Sequence, residues 1–312
     1  MHIPDGFLST PVALLLWAVA LIAVAYALLR VNRELDDHKV PLMGVMAAAI
    51  FAGQMLNFSV TGGTSGHLMG AALAAIALGP WPALVVMTCV VGTQALLFQD
   101  GGLLALGANI VNMGLIGVAV GYAAYLTVRK LAGERSWSLF AGGFAAAWLS
   151  IVVAAMAAAL QIAGSGTSPA NVAVPAMGGI HMLIGIGEGL ITVGALALLY
   201  AARRDLLAVG KMQAIGDRGL WIAGLVVAVL LAILSPLASA HPDGLEWVAQ
   251  QQGFIDAAQD ASYEIIPDYV FPGISNEAAA TVLAGILGLV IVSVVTWLVA
   301  AARRERKSPR SV

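Results

Sequence analysis

The chain has 312 residues, of which 60% are hydrophobic and only 10% charged, with a formal net charge of −2 and a mean hydropathy of +0.92. Soluble domains carry roughly one-quarter charged residues, so this composition excludes a soluble single-core protein and predicts an all-α, polytopic protein of the cell membrane with the lipid bilayer as its main partner. The near-neutral charge offers nothing for nucleic acid, and the single Cys89 excludes an intramolecular disulfide or a cysteine metal cluster.

Residues 1–10 hold no Lys or Arg. The basic start of a cleavable signal peptide is therefore missing, and Val12 to Leu29 reads as a retained helix with Met1 as the mature terminus. The fifteen basic residues fall in four segments, at 30–39, 129–135, 203–218 and 303–310. The positive-inside rule makes these segments cytoplasmic. Helices are predicted at about 11–29, 41–57, 68–79, 81–98, 103–127, 138–162, 177–201, 219–240 and 279–302. This is a nine-helix arrangement, seven plus two, with the amino terminus outside and the carboxyl terminus inside. The third helix would reach only about 18 Å, short of the roughly 30 Å hydrocarbon core, and "GPWP" at 79–82 breaks it. Four stretches follow: a transmembrane domain over 1–202, a cytoplasmic linker over 203–218, a self-contained two-helix module over 219–302 and a basic tail over 303–312. The outer loop at 241–277 holds seven acidic and no basic residues.

The chain opens "MHIPDGF". A free α-amine, the amide nitrogen of residue 2 and the Nδ1 of a histidine at residue 2 can bind one metal together in fused chelate rings. Such in-plane nitrogen donors select Ni(II) or Cu(II) over tetrahedral Zn(II), and the protons they shed make binding weaker in acid. Pro4 holds Ile3 extended, and Pro-Asp-Gly is a turn that folds the terminus back over the membrane surface. A frayed terminal histidine is the other reading. "TGGTSGHLMG" at 61–70 lies on the same predicted side, where His67 would supply a fourth nitrogen or else cap a helix.

"MHIPDGFLS", "QMLNF" at 54–58, "TSGHLMG" at 64–70 and "HMLIGIGEGLIT" at 181–192 resemble the CbiM/NikM family, the substrate-binding membrane subunits of energy-coupling-factor transporters for nickel and cobalt. "HPDGLEWVA" at 241–249 and "IPDYVFPG" at 266–273 resemble the PDGLE-type accessory subunit, fused here to the first. The resemblance implies metal ligation by the Met1 amine, the His2 amide and imidazole, and His67. It also implies Ni2+ or Co2+ as substrate, with a transmembrane coupling subunit and cytoplasmic ATPases as partners. The chain itself has no G-x-x-x-x-G-K-[ST] loop for ATP.

Other residues carry expectations beside plainer readings. Glu188, the one acidic residue placed inside a span, reads as functional by default and shares a helix face with His181; it would steady the metal loop, bind a helix end or sit protonated in packing. Gln54 and Asn57 hydrogen-bond the 61–67 loop or merely solvate a helix end, while Thr64 and Ser65 orient that loop around His67. His38 reads as a solvated residue. His241 approaches the metal or lies in an acidic loop that concentrates cations, or that loop is simply solvated. Gly44, Ala48 and Ala52 contact a partner subunit or pack internally. Two other classes compete: an intramembrane serine protease using Ser65 and His181, and a passive divalent-cation channel, which tight binding argues against.

Overall fold

The computed structural model describes residues 1–34, 39–133, 135–202, 218–261 and 263–304. His38, most of the 203–218 linker and most of the basic tail, on which expectations were placed, lie outside the described residues. The helices are α1 (Thr10–Glu34), α2 (Lys39–Gln54), α3 (Ala71–Leu78), α4 (Pro80–Thr93), α5 (Leu106–Asn109), α6 (Gly117–Ala132), α7 (Ser136–Gly164), α8 (Ala170–Ala202), α9 (Arg218–Leu234), α10 (Gly244–Gln252) and α11 (Glu277–Arg304). A short hairpin joins α2 to α3, pairing β1 (Phe58–Val60) antiparallel with β2 (Thr64–Gly66).

Among the described residues, six helical stretches are long and apolar enough to cross a membrane: Thr10–Val31, Pro80–Phe98, Leu106–Ala132, Ser136–Gly164, Ala170–Ala201 and Glu277–Ala302. Two shorter apolar helices, Val40–Gln54 and Trp221–Leu237, accompany them. Leucine and isoleucine side chains stand exposed along α1, α8, α9 and α11, as a lipid-facing surface requires.

The predicted third helix shrinks at its start. Leu68 and Met69 stay outside the helix, Gly70 enters it through the left-handed region (φ 82°), and α3 has only eight residues, about 12 Å. Gly79 (φ 88°) ends α3, and Pro80 opens α4 at its first helical position, so "GPWP" is the joint between the two. Two stretches widen into π-helix: Gln94–Phe98 after α4, and Ile110–Ile116 between α5 and α6. Such widenings recur at functional sites, and both flank the polar residues described below.

α7 packs between α6 and α8, and α2 packs against α9 and α11. Small residues permit these approaches: a Cβ on Gly143 would lie 2.3 Å from Leu196 Cδ1. The two long helices of the expected second module, α9 and α11, pack on the rest of the chain. A Cβ on Gly288 of α11 would stand 2.2 Å from the Phe51 ring. The stripe Gly44, Ala48 and Ala52 is buried, with Gly44 against the Ser293 carbonyl and Trp297 of α11. It is covered from within the chain, which corrects the reading of a partner contact there.

Candidate metal centre

The amino terminus is threaded into the protein. Ile3 and Phe7 are fully buried. Asn109, at the edge of a π-helical stretch, grips the Ile3 backbone twice: its Oδ1 accepts from Ile3 N at 2.8 Å, and its Nδ2 donates to Ile3 O at 3.0 Å. The Asp5 carboxylate accepts from Leu103 N (3.0 Å) and Ala105 N (2.9 Å). Gly6 takes φ 90°, and a Cβ there would meet Ala257 O at 2.0 Å, so the Pro-Asp-Gly turn forms and is closed over by the segment after α10.

These anchors deliver Met1 and His2 to His67. The Met1 amine lies 3.1 Å from His67 Nε2, and all three residues are buried. His67 Nδ1 donates to Leu68 O at 3.0 Å, which leaves the Nε2 lone pair facing the amine. Burial, the amine charge and His2 lower the His67 pKa from 6.5 to about 3, so the ring is neutral at pH 7. The His2 and His67 rings stack at 5.6 Å. Asp100 Oδ1 holds His2 Nδ1 at 2.9 Å, and Gln94 Oε1 lies 3.2 Å from its Nε2. The His2 amide makes no hydrogen bond among the described residues.

Asp243, which the sequence reading passed over, pairs with the Met1 amine. Its other oxygen caps α10, accepting from Leu245 N and Glu246 N, while Glu246 accepts from Asp243 N in a capping box. Burial alone would raise the Asp243 carboxyl, but the charge and hydrogen bond of the amine outweigh it and hold the group below the usual carboxylate range. Tyr269 reaches in as well, its hydroxyl donating to Asp100 Oδ2 at 2.5 Å and accepting from Gln94 Nε2 at 3.1 Å. Burial would raise Asp100 too; His2 and the bonds from His2 and Tyr269 hold it low. Asp268 and Tyr269 are both in the left-handed region (φ 51° and 60°), a conformation that non-glycine residues adopt only at a cost.

The loop residues direct most of their hydrogen bonds toward the segment that leads into α10. Glycines at 62 and 63 (φ 93° and 80°) turn the hairpin. Thr64 Oγ1 donates to Pro242 O (3.1 Å), Ser65 Oγ to His241 O (2.8 Å) and Ser65 N to Pro242 O (2.8 Å). The hairpin thereby binds the 241–243 strand and, through it, places Asp243. Gln54 Nε2 donates to Met69 O at 2.8 Å. Asn57 instead offers its backbone carbonyl to Ser239 N, and the side chain of His241 is exposed.

Glu188, fully buried, accepts from Met69 N (2.6 Å) and Gly70 N (3.1 Å), directly behind His67. Glu188→Ala leaves two buried donors unpaired, at about 1–3 kcal/mol each. Thermal unfolding of the variant should begin at lower temperature, and metal affinity should fall about 10–100-fold, as loss of an outer support does.

His181 Nδ1 bonds Met177 O at 2.8 Å, and a Cβ on Gly244 would meet the His181 ring at 2.8 Å, so the ring walls the clamp beside Met1 and His67. The Ser65 hydroxyl donates to the carbonyls of His241 and Pro242 instead, so Ser65 and His181 form no dyad and the protease reading fails. Among the described residues no three His, Cys, Asp or Glu side chains converge as a metal cage; a clamp made of an amine, an amide and two imidazoles would not take that form.

Asp100, Gln94, Asn109, Asp243 and Tyr269 are the site residues that sequence reasoning missed. Gln94 and Asn109 carried a signal, as polar groups within apolar spans.

Residues 2–206 match the family profile described as the cobalt uptake substrate-specific transmembrane region, CbiM, and residues 218–305 match the PDGLE domain. The chain is 38% identical over 298 residues to a putative fused nickel transport protein NikMN of Archaeoglobus fulgidus, covering 94% of this chain and 95% of that one. It is 35% identical over 268 residues to the fused nickel transport protein NikMN of Rhodobacter capsulatus, covering 80% and 76%. A crystal structure of a truncated transition metal transporter superposes with a TM-score of 0.57 at 36% identity, covering 65% of this chain and 99% of that one. The chain therefore belongs to the CbiM family of metal transport proteins, with a fused PDGLE region, and is a multi-pass membrane protein rather than an enzyme.

Proposed function

We propose that this chain is the nickel- or cobalt-binding subunit of an energy-coupling-factor importer in the cell membrane, with a transmembrane coupling subunit and cytoplasmic ATPases as partners. The ligands are the Met1 amine, the His2 amide nitrogen, His2 Nδ1 and His67 Nε2. The observation that carries this reading is the buried approach of the Met1 amine to 3.1 Å from His67 Nε2. Metal–nitrogen bonds of about 2.0 Å put neighbouring planar ligands about 2.8 Å apart, so this pair sits close to a shared metal's spacing. Coordination through His2 Nδ1 exchanges its Asp100 contact for the metal, and the carboxylates of Asp100 and Asp243 then balance the incoming charge. Thr64, Ser65, His181 and Glu188 support the clamp from behind; Asn57 supports it through the backbone alone.

Nickel is the preferred substrate, because planar nitrogen donors favour it and the fused relatives carry nickel in their names. We read residues 1–202 as the metal-binding domain and 219–302 as an accessory domain that closes over the clamp. Nickel uptake into vesicles tests the reading. Uptake should require the partner ATPases and ATP, and Ser65→Ala should weaken nickel binding far less than loss of the His67 imidazole does. Accumulation by the chain alone would favour the passive channel instead.

A further inference from the structure

A second cavity, of 370 Å³, opens beside the clamp between the hairpin end of α2, the loop after α4 and the 235–269 segment. Four carboxylates line it: Asp100 and Asp243, which face the clamp, and the exposed Glu246 and Asp268. No Lys or Arg lines it among the described residues. Asp268 forms no hydrogen bond or ion pair there.

The amide groups point the same way. Gln54 is only 4% exposed and lines this cavity, and its Oε1 is buried without a partner while its Nε2 is engaged with Met69. Both amide atoms of Gln99, another lining residue, are buried without a partner too. A buried amide oxygen left unpaired is costly, and the side chain that carries it lines a space framed by carboxylates. Carboxylate and amide oxygens are the donors that hard divalent cations and their water shells prefer. Because no three acidic or histidine side chains converge closely enough to bind a bare ion among the described residues, these groups suit a cation that keeps its water. Six waters at about 30 Å³ each occupy roughly 180 Å³, which the cavity accommodates.

We propose that this cavity is a second cation site, holding a hydrated divalent cation through its water shell directly in front of the nitrogen clamp. It extends the clamp reading and is tested separately from it. The ion waits among oxygens, then exchanges water for nitrogen as it passes to Met1, His2 and His67, which line or adjoin the same space.

The test is a Mn2+ titration of the purified full chain, read by electron paramagnetic resonance, because Mn2+ favours oxygen over nitrogen donors. The variants are Asp268→Asn with Glu246→Gln, and separately His67→Ala. Gln keeps the capping hydrogen bond, and Asn tolerates the left-handed backbone at 268. The native chain should bind Mn2+, His67→Ala should still bind it, and the double variant should bind it more than about tenfold more weakly. Equal Mn2+ binding by native chain and double variant, or its loss in His67→Ala, overturns the proposal. Retained nickel binding shows that the double variant is folded; if it is not, Asp268→Asn alone is judged by the same outcomes. A failure of the clamp reading would appear in nickel affinity, not in this titration.

Discussion

A single glycine inserted between Met1 and His2 lowers nickel affinity by more than about 100-fold, beyond the 10–100-fold expected for loss of an outer-shell support. The insertion enlarges a chelate ring and moves the amine by as much as about 3.5 Å, the reach of one residue. The chain cannot absorb the extra residue downstream. Ile3 is fixed by two bonds to Asn109, Asp5 is fixed to Leu103 and Ala105, and Gly6 lies under Ala257. The displacement therefore falls on the amine, which leaves both His67 and Asp243. Equilibrium dialysis of the purified chain with nickel measures the effect, and unchanged thermal unfolding of the rest of the protein would show that the fold is intact.

Gly102→Ala produces the second large effect without touching a ligand. A Cβ at 102 would lie 2.0 Å from Asp5 Oδ1 and 2.2 Å from Asp5 N, and Gly102 N also donates to Ile3 O at 3.0 Å. The backbone fixes the position of the new Cβ, and one of the atoms it meets is itself backbone, so no side-chain rotation at 102 relieves the clash. The added group pushes the terminal segment out of its groove. Overpacking costs about 1–3 kcal/mol, and here the cost falls on the segment that carries Met1 and His2. Nickel affinity should drop by more than about tenfold. Gly92→Ala serves as the comparison: a Cβ there meets no atom within 4 Å, and nickel binding should be unchanged.

The helical framework was legible because apolar runs and clustered basic residues are local signals. The proposed nitrogen donors were legible for the same reason: His2 beside a terminal amine and His67 after a glycine-rich turn are short motifs with their own chemistry. Glu188 stood out as a lone acid in an apolar run, and its carboxylate accepts from the backbone of Met69 and Gly70. The oxygen groups around the clamp were not legible. Asp243 lies 242 positions from the amine it pairs with, and Tyr269 lies 169 positions from Asp100. Their sequence context, "HPDGLE" and "IPDY", reads as a helix cap and a turn, which they are; only the fold adds a second use. The small stripe of α2 misled for a related reason, since a close-packing face looks the same whether its neighbour is another subunit or the chain's own α11.

The most direct measurement is X-ray absorption at the nickel edge on the purified, nickel-loaded full chain. The account predicts a planar set of four nitrogen donors, two of them imidazoles, from Met1, His2 and His67, with the planar signature lost when glycine is inserted after Met1. A six-coordinate, oxygen-rich shell that is indifferent to the insertion would contradict it and move the bound metal to the carboxylates of the outer cavity.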